Sequence, residues 1–501
     1  MSHHQSGTDT EPRSGEGSPL SPNKSVTLTI DGISVTVPEG TRILEAAKKV
    51  NVNIPTLCEH PDLCKRALCR ICVVEADGRG KLIAACANDV WEGVSIVTVN
   101  QRLLGIRKTI IELILANHPQ DCLSCIRNTK CELQSLALCL SVRGSLFENG
   151  AVERSPQEQP PQKRQPQIES ETLVRDMDKC VKCGRCVEVC QEVQTIRAIN
   201  TSHRSHEYEI STPYKQALKD GPCVFCGKCA SVCPVGAIYE HDQTAEVQSA
   251  LRTALNDGGR KTIAQVSPNL AAALNDELAL AANTITAGKL VTAIKLLGFD
   301  KVYDASIAAN AVNSEIEGEV QQRKNGSRTT LPVISGCSAG AANFVKNFYP
   351  DLADRLTAAE SPRRYFASSL KSGYAKEAGV ELSGVTSVFF VPCIAQKYGA
   401  GVKDETDFAI TAGELARMLK LAGIVIEGLP EASFDTVNVD LPKQDASVKK
   451  ETVHGFAQAR EVMETIREGK CGADWVEILN CPGDKCGSVC LKHSLGGLPV
   501  S

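Results

Sequence analysis

Two stretches decide the reading: CVKCGRCVEVC at residues 180–190 and CVFCGKCASVCP at residues 223–234. Each carries cysteines in the order C-x2-C-x2-C-x3-C, and the second closes on Pro234. Three thiolates so spaced on one loop take three corners of an iron–sulfur cubane. In two-cluster ferredoxins the fourth thiolate comes from the other motif. The expected sets are therefore Cys180, Cys183, Cys186 with Cys233, and Cys223, Cys226, Cys229 with Cys190. Zinc is the alternative, but it takes four ligands per site and rarely uses so tight a doubled repeat.

Upstream, Val26, Leu28 and Ile30, then Ile33, Val35 and Val37, alternate about Asp31-Gly32, the signature of a β-hairpin with a tight turn. Thr41 is placed to cap a short helix over residues 42–50. Hairpin, helix and then a cysteine loop predict a β-grasp [2Fe–2S] ferredoxin domain. Its spacing is Cys58-x10-Cys69-x2-Cys72-x13-Cys86. Cys64-x4-Cys69-x2-Cys72 also fits the plant-type spacing, but that pattern needs a distant fourth Cys and Cys86 comes early for it. Cys58 is the preferred ligand and Cys64 the spare. An amphipathic helix over about 101–117 leads into His118-x3-Cys122-x2-Cys125-x5-Cys131. Three thiolates and one imidazole suit a structural zinc as well as a cluster. A mononuclear zinc between two redox modules would break an electron path, which favours iron–sulfur.

Composition agrees. With 23 cysteines in 501 residues, the chain is too long for a disulfide-stapled secreted module, so the cysteines point to metal in a reducing, cytoplasmic setting. A net charge of −4 excludes the basic footprint of a nucleic-acid binder, and no apolar run approaches a membrane span. Residues 1–24 read as a disordered tail with no secretory h-region, and 151–171 as a Pro/Gln-rich linker. The domains are then 25–102, 103–150, 172–240 and 241–501, the last with alternating strand and helix signals. There LPVIS leads to Cys337, SVFFVP to Cys393 and WVEILN to Cys481. Ligands gather at the carboxyl ends of strands in open α/β sheets, so these three are expected to converge. Thr411 and Glu414 read as a capping box. Cys64 and Cys139 read as packed thiols.

From Val26 to Cys486 the chain resembles the iron-only ([FeFe]) hydrogenases. NHPQDCLSC, CELQ and CGRCVEVCQEVQ carry the likeness in the first half, a half that such enzymes share with complex I large subunits and some formate dehydrogenases. TAGKLVTAIKLLGFDKVYD, FVKNFYPDLADRL, SPRRYF, VPCIAQK, ITAGELARMLKLAGI and WVEILNCPG carry it in the second. The resemblance implies a multidomain α+β chain. A β-grasp [2Fe–2S] domain comes first, then a small helical [4Fe–4S] domain with one His and three Cys ligands. A two-cluster bacterial-type ferredoxin follows, then an α/β hydrogenase-like domain. The cofactors would be one [2Fe–2S], three [4Fe–4S], and a further [4Fe–4S] or modified H-cluster.

The departures fall on the family's active site. Aligned through Phe344 and Tyr349-Pro350, Cys337 takes the place of the proton-relay cysteine and Ser338 that of a cluster ligand. Oxygen is a harder, less favoured donor to this iron than thiolate. The family's lysine after the second-motif cysteine is Gln396, with Lys397 adjacent. Cys481 and Cys486 stand one residue further apart than the family pattern, and Cys490 replaces part of its glycine run. Cys393, Cys481 and Cys486, with Cys337 or Ser338, make up the degenerate metal site. Glu319 and Thr357 fall near proton-path positions, and the path's other Glu aligns with Ile316, or with Glu315 after a one-residue slip. The expected function is electron relay, with ferredoxin or flavin- and NADH-binding subunits of a larger complex as partners. The alternatives are an active hydrogenase (2H⁺ + 2e⁻ ⇌ H₂) and a redox or hydrogen sensor.

Overall fold

The computed structural model describes residues 24–63, 66–77, 81–147, 166–257, 259–326, 330–399, 406–436 and 447–482. Cys64, Cys486, Cys490, the tail up to residue 23 and linker residues 151–165 lie outside the described residues. Two compact units emerge: Met1–Thr56 with Cys69–Ile110, and Leu57–Leu68 with Ile111–Ser501.

In the first unit, β1 (Ser25–Ile30) and β2 (Ile33–Pro38) form the expected hairpin. Both turn residues have positive φ, +49° at Asp31 and +82° at Gly32, which an Asp-Gly pair tolerates. The Asp31 carboxylate then accepts from Thr98 N at 2.7 Å and Thr98 Oγ1 at 2.5 Å, tying the turn to the segment that follows residues 95–97. With β3 (Val73–Ala76), β4 (Lys81–Ala84) and β5 (Ser95–Val97) the sheet order is β2-β1-β5-β3-β4, and β1 and β5 run parallel. Leu28, Ile30, Ile71 and Ile96 are buried on it with Ile43 and Leu44 of the helix Ile43–Lys49. That helix corrects one expectation. Its N-cap is Arg42, with no side-chain capping bond, one residue later than a cap at Thr41 would set it. Val90 N donates to Thr41 O, and Arg42 forms an isolated bridge with Asp89.

In the second unit, the helix Glu132–Cys139 follows the His118 segment. A three-stranded sheet, β6 (Gln167–Ile168), β7 (Leu173–Arg175) and β10 (Ile238–Glu240), then frames the two cysteine repeats. Between the repeats lies the hairpin β8 (Asn200–Ser202) and β9 (Glu209–Ser211). The linker therefore ends sooner than its composition suggests. Residues 167–168 pair with β7, and Glu169 is buried in an ion pair with Arg175 at 2.9 Å.

The α/β expectation holds as two parallel sheets. One runs in the order β12 (Lys301–Asp304), β11 (Lys261–Val266), β14 (Val385–Val391), β15 (Phe408–Thr411). The other runs β13 (Val333–Gly336), β17 (Trp475–Leu479), β16 (Lys450–His454). Parallel strands need crossover helices, and the mainly apolar β14 and β17 are buried over most of their length. The three-stranded sheet shares one apolar core with the cysteine repeats: Ile199, Val224 and Phe225 cluster with Phe344, Phe456 and Ile478. The chain beyond residue 240 is thus fused to the repeats through buried apolar surface.

Candidate functional site

In the first unit, the Cys72 and Cys86 sulfurs lie 3.3 Å apart, both residues 1% exposed. Ala85 N donates to Cys72 O, and the Arg42 side chain donates through Nη1 to Cys86 O at 3.3 Å, so one backbone bond and one side-chain bond hold the carbonyls of both cysteines. Cys69 is partly exposed on the loop before Cys72. Cys58 belongs to the second unit, where it is buried.

His118 follows the helix Gln101–Ala116, which gives the structure to the predicted amphipathic run. Its Nδ1 is buried and has no hydrogen-bond partner among the described residues. Burial, and next the charge of Lys179, lower its pKa, so the imidazole is neutral with a bare nitrogen lone pair. That is the protonation state of a metal ligand. Cys131 begins the helix Glu132–Cys139; burial raises its thiol, and Cys125 and Cys122 are close enough to add to the shift. A Cβ at Gly236 would stand 2.9 Å from the Cys125 sulfur, so only glycine lets the backbone approach there.

The two repeats fold alike. Lys182 and Gly184 in the first, Phe225 and Gly227 in the second, all have positive φ. This winds each C-x2-C loop so that Lys182 N meets the Cys180 sulfur, and Phe225 N the Cys223 sulfur, both at 3.4 Å. Cys180, Cys183, Cys186 and Cys233 together line a cavity of about 20 Å³. Burial first, and the neighbouring Cys233 after it, push Cys180 up to about 11 and Cys183 higher still. Likewise Cys226 is pushed up to about 12 by burial, with Cys190 adding to it, and Cys223 and Cys229 feel Cys190 as well. Each group of three thus faces the fourth cysteine of the other repeat. Thiols so buried lose their protons only to a strong positive centre, which suits soft, thiolate-loving iron.

Cys337, Cys393 and Cys481 follow β13, β14 and β17, as their strand-end positions suggest. They lie close enough to act on one another. Burial pushes Cys337 up to about 12 and Cys393 to about 11, with Cys481 raising both. The Asn480 N–H reaches the Cys337 sulfur at 3.5 Å. Ser338 caps the helix Ala339–Phe348: its Oγ accepts from Gly340 N at 3.2 Å and from Asn480 Nδ2 at 2.6 Å. Both lone pairs of the hydroxyl are thereby used. Lys397 is fully buried, its Nζ donating to Glu414 Oε1 and His241 O, each at 2.5 Å. Glu414 also completes the expected capping box with Thr411. Burial and the neighbouring Glu240 push Glu414 up to about 7 against the pull of Lys397. The carbonyl of Gln396 accepts from the buried Arg363 at 3.0 Å.

Glu319 and Thr357 are joined by a 2.7 Å hydrogen bond, and Thr357 N donates to Ile334 O on β13. Glu319 is also ion-paired with Arg323 at 2.5 Å. Ile316 is core, and Glu315 is exposed. Three contributors escaped sequence reading: Asn480, Gln194, whose Nε2 donates to Asn480 O at 3.2 Å, and the buried Lys228. For Lys228 a signal existed, because CGKC repeats the CGRC of the first motif. A cavity of about 110 Å³ lies between the second repeat and β14, bordered by Cys226, Gly227, Cys393 and Ile394.

Four family models match the chain in succession. They are a 2Fe-2S iron-sulfur cluster binding domain (residues 23–101), the NADH-ubiquinone oxidoreductase-G iron-sulfur binding region (107–145), the ferredoxin-like domain of NADH-quinone oxidoreductase subunit 3 (170–239), and the C-terminal domain of the iron only hydrogenase large subunit (260–444). The last match takes in Cys337 and Cys393 and stops short of Cys481. The NADP-reducing hydrogenase subunit HndD of Solidesulfovibrio fructosivorans is 34% identical over 82% of this chain and 71% of its own length. Iron hydrogenase 1 of Clostridium pasteurianum is 29% identical over 82% and 70%. A solved [FeFe]-hydrogenase is 18% identical over 51% of this chain and 87% of its own, with a TM-score of 0.42. At that level of identity and mutual coverage the chain belongs to the iron-only hydrogenase family, as an iron–sulfur electron-transfer protein.

Proposed function

We propose that this chain is an electron relay. It would carry a [2Fe–2S] cluster on Cys58, Cys69, Cys72 and Cys86, and three [4Fe–4S] clusters. These sit on His118, Cys122, Cys125 and Cys131; on Cys180, Cys183, Cys186 and Cys233; and on Cys190, Cys223, Cys226 and Cys229. The clusters supply one-electron transfer. The chain's own part is to bury the thiols, aim backbone N–H groups at their sulfurs and exclude water. Cys337, Cys393 and Cys481, with Cys486 beyond the described residues, hold a further [4Fe–4S] or a modified H-cluster and support little hydrogen turnover.

One observation carries relay over turnover. The Ser338 hydroxyl is saturated by Gly340 N and Asn480 Nδ2, so it has no lone pair left for iron. A reading as an active hydrogenase is favoured by the Glu319–Thr357 hydrogen bond beside β13, but Glu319 is also neutralised by Arg323. The relatives supply the setting: one is named as part of an NADP-reducing hydrogenase, another as part of the NADH-quinone oxidoreductase of Streptomyces coelicolor. We assign this chain to a comparable cytoplasmic complex, with ferredoxin or a flavin- and NAD(P)H-binding subunit as its partner. Among the described residues no helix is long and apolar enough to cross a membrane.

The test is anaerobic isolation of the full chain, co-expressed with hydrogenase maturation factors. Iron, sulfide and EPR analysis should return one [2Fe–2S] and at least three [4Fe–4S] signals. Infrared spectra should lack strong CO and cyanide bands, and hydrogen evolution from a low-potential donor should be negligible. Turnover that disappears in Cys393→Ala overturns the relay reading.

A further inference from the structure

Cys233, the cysteine that completes the first repeat's set, lies on a stretch that the His118 segment touches along its length. Arg127 Nη2 donates to Ala230 O at 2.8 Å, and a Cβ at Gly236 would stand 2.9 Å from the Cys125 sulfur. Between these two contacts the Glu132 N–H donates to Pro234 O at 3.0 Å. Glu132 directly follows Cys131, and Pro234 directly follows Cys233. One hydrogen bond therefore completes a continuous chain of bonded atoms from the Cys131 sulfur to the Cys233 sulfur.

Arg185 fastens this seam. It stands between Cys183 and Cys186, two more thiols of the Cys233 set, and is 4% exposed. Its Nη1 and Nη2 donate to the two carboxylate oxygens of Glu132 at 2.7 and 2.8 Å, and Nη1 also reaches Val232 O at 3.4 Å. The residue after Cys131 and the residue before Cys233 are thus held by one side chain. A planar guanidinium fixes both the distance and the angle of such a contact, which a point charge does not. As a source of stability alone, a buried ion pair gains little over an apolar pair of the same volume. What this pair adds is a fixed geometry across the seam.

We propose that Arg185 is the positioning residue for electron transfer between the His118 cluster and the cluster on Cys180, Cys183, Cys186 and Cys233. It acts through Glu132, holding the Glu132–Pro234 hydrogen bond closed. The inference rests on the ligand reading above, which places a cluster on each side of the seam. The electron that leaves one cluster enters the other, and no bond or proton moves. Tunnelling falls off more steeply through space than along bonded atoms, so a loosened seam slows the step even where both clusters stay bound.

The experiment uses the full iron-loaded chain as wild type, as Arg185→Met with Glu132→Leu, and as Arg185→Lys. A light pulse on a flavin with a sacrificial amine supplies the electron. Freeze-quench EPR then follows the rate at which the two reduced signals reach equilibrium. The double variant removes one positive and one negative charge and leaves an apolar pair in the core, so both clusters should load and keep their midpoints. The equilibration rate should nonetheless fall severalfold.

A loaded double variant that equilibrates at the wild-type rate overturns the proposal, and so does a slowed rate that comes with shifted midpoints. If the double variant loses either cluster, Arg185→Lys decides, since it keeps the charge but cannot span both carboxylate oxygens. There a slowed rate with unmoved midpoints upholds the proposal, and any other result overturns it. A wild-type chain with zinc on His118, Cys122, Cys125 and Cys131, or without iron on Cys180, Cys183, Cys186 and Cys233, refutes instead the ligand reading. The two failures are therefore distinguishable.

Discussion

Replacing Gly227 with Ala should loosen the junction between the second repeat and the segment after β14 through two separable costs. The first is conformational. Gly227 has φ +74°, and an L-residue held in the left-handed region costs about 1–2 kcal/mol. The second is steric. The new Cβ would stand 2.6 Å from Ile394 Cβ and 2.8 Å from its Cγ2, atoms near the backbone that cannot swing clear. Overpacking of this kind costs about 1–3 kcal/mol. The internal repeat supplies the control. Gly184 has φ +80°, but its Cβ would meet only the outer parts of flexible side chains, Leu68 Cδ1 at 3.0 Å and Arg66 Cδ at 3.6 Å. Gly184→Ala should therefore show the backbone cost alone, and Gly227→Ala should exceed it by about 1–3 kcal/mol.

The chain has two tryptophans, so Trp91→Phe leaves Trp475 as the only reporter. Trp475 is 2% exposed on β17 and donates to Ser335 Oγ at 2.7 Å, so its fluorescence follows the sheet that shares a core with the repeats. Denaturant midpoints read on this one probe compare the variants without assuming that the whole chain unfolds in one step. Ile394→Ala completes a double-mutant cycle. In the Gly227→Ala background it should cost about 1–3 kcal/mol less than in the wild type. Equal destabilisation by the two glycine substitutions, or strict additivity with Ile394→Ala, would refute the steric reasoning.

Three more outcomes are expected. Glu414 is raised in the folded chain from about 4.5 to about 7, so the folded state holds a proton there that the unfolded state releases. Stability from this group is full below the lower value and is lost as pH rises through the upper one, and Glu414→Gln should flatten the slope of midpoint against pH between them. An unchanged slope would place the titration elsewhere. Arg185→Met strands the carboxylate of Glu132 and should cost about 3–5 kcal/mol, most of it recovered by adding Glu132→Leu; a failure to recover would mean that the charge pair is not the source. Ser338→Ala removes a helix cap and should cost about 1 kcal/mol with unchanged iron content, whereas loss of iron would make Ser338 a ligand.

Elements whose signals are local could be read from the sequence. The hairpin is written in a period of two around Asp31-Gly32, and the capping box in Thr411 and Glu414, three residues apart. The cysteine repeats are legible because the covalent spacing is itself the geometry. Strand ends could be located because β13, β14 and β17 each run apolar into a cysteine. Thr41 misled because the helix begins one residue later than a Thr41 cap requires, with Arg42 paired across to Asp89 and the Thr41 carbonyl accepting from Val90 N. The linker's polar composition hid its last residues, where Glu169 is satisfied only by folding onto Arg175 and the N–H of Leu218.

The polar residues around the C-terminal thiols were illegible for a related reason. Their roles exist only through partners distant along the chain. Asn480 reaches Ser338 across 142 positions, and Gln194 reaches Asn480 across 286. Each bond looks minor alone, but together they hold the serine at position 338 in place. Ser338 Oγ is filled by Asn480, Asn480 is held by Gln194 four residues beyond the first repeat, and Asn480 N in turn holds the Cys337 sulfur. Restoring sulfur at position 338 would take away a short hydrogen bond that anchors the end of β17. The larger atom would also have to displace the Asn480 amide, itself buried at 1% exposure. An amide so placed has no water to fall back on, and its loss of a partner carries the full desolvation cost. The serine is thus maintained by the same contacts that join the cysteine repeats to the C-terminal sheet. On the relay reading proposed above, a site bound to the cysteine repeats in this way suits the passing of charge across a fixed junction, and a thiolate at position 338 would have to remake that junction as well as the ligand.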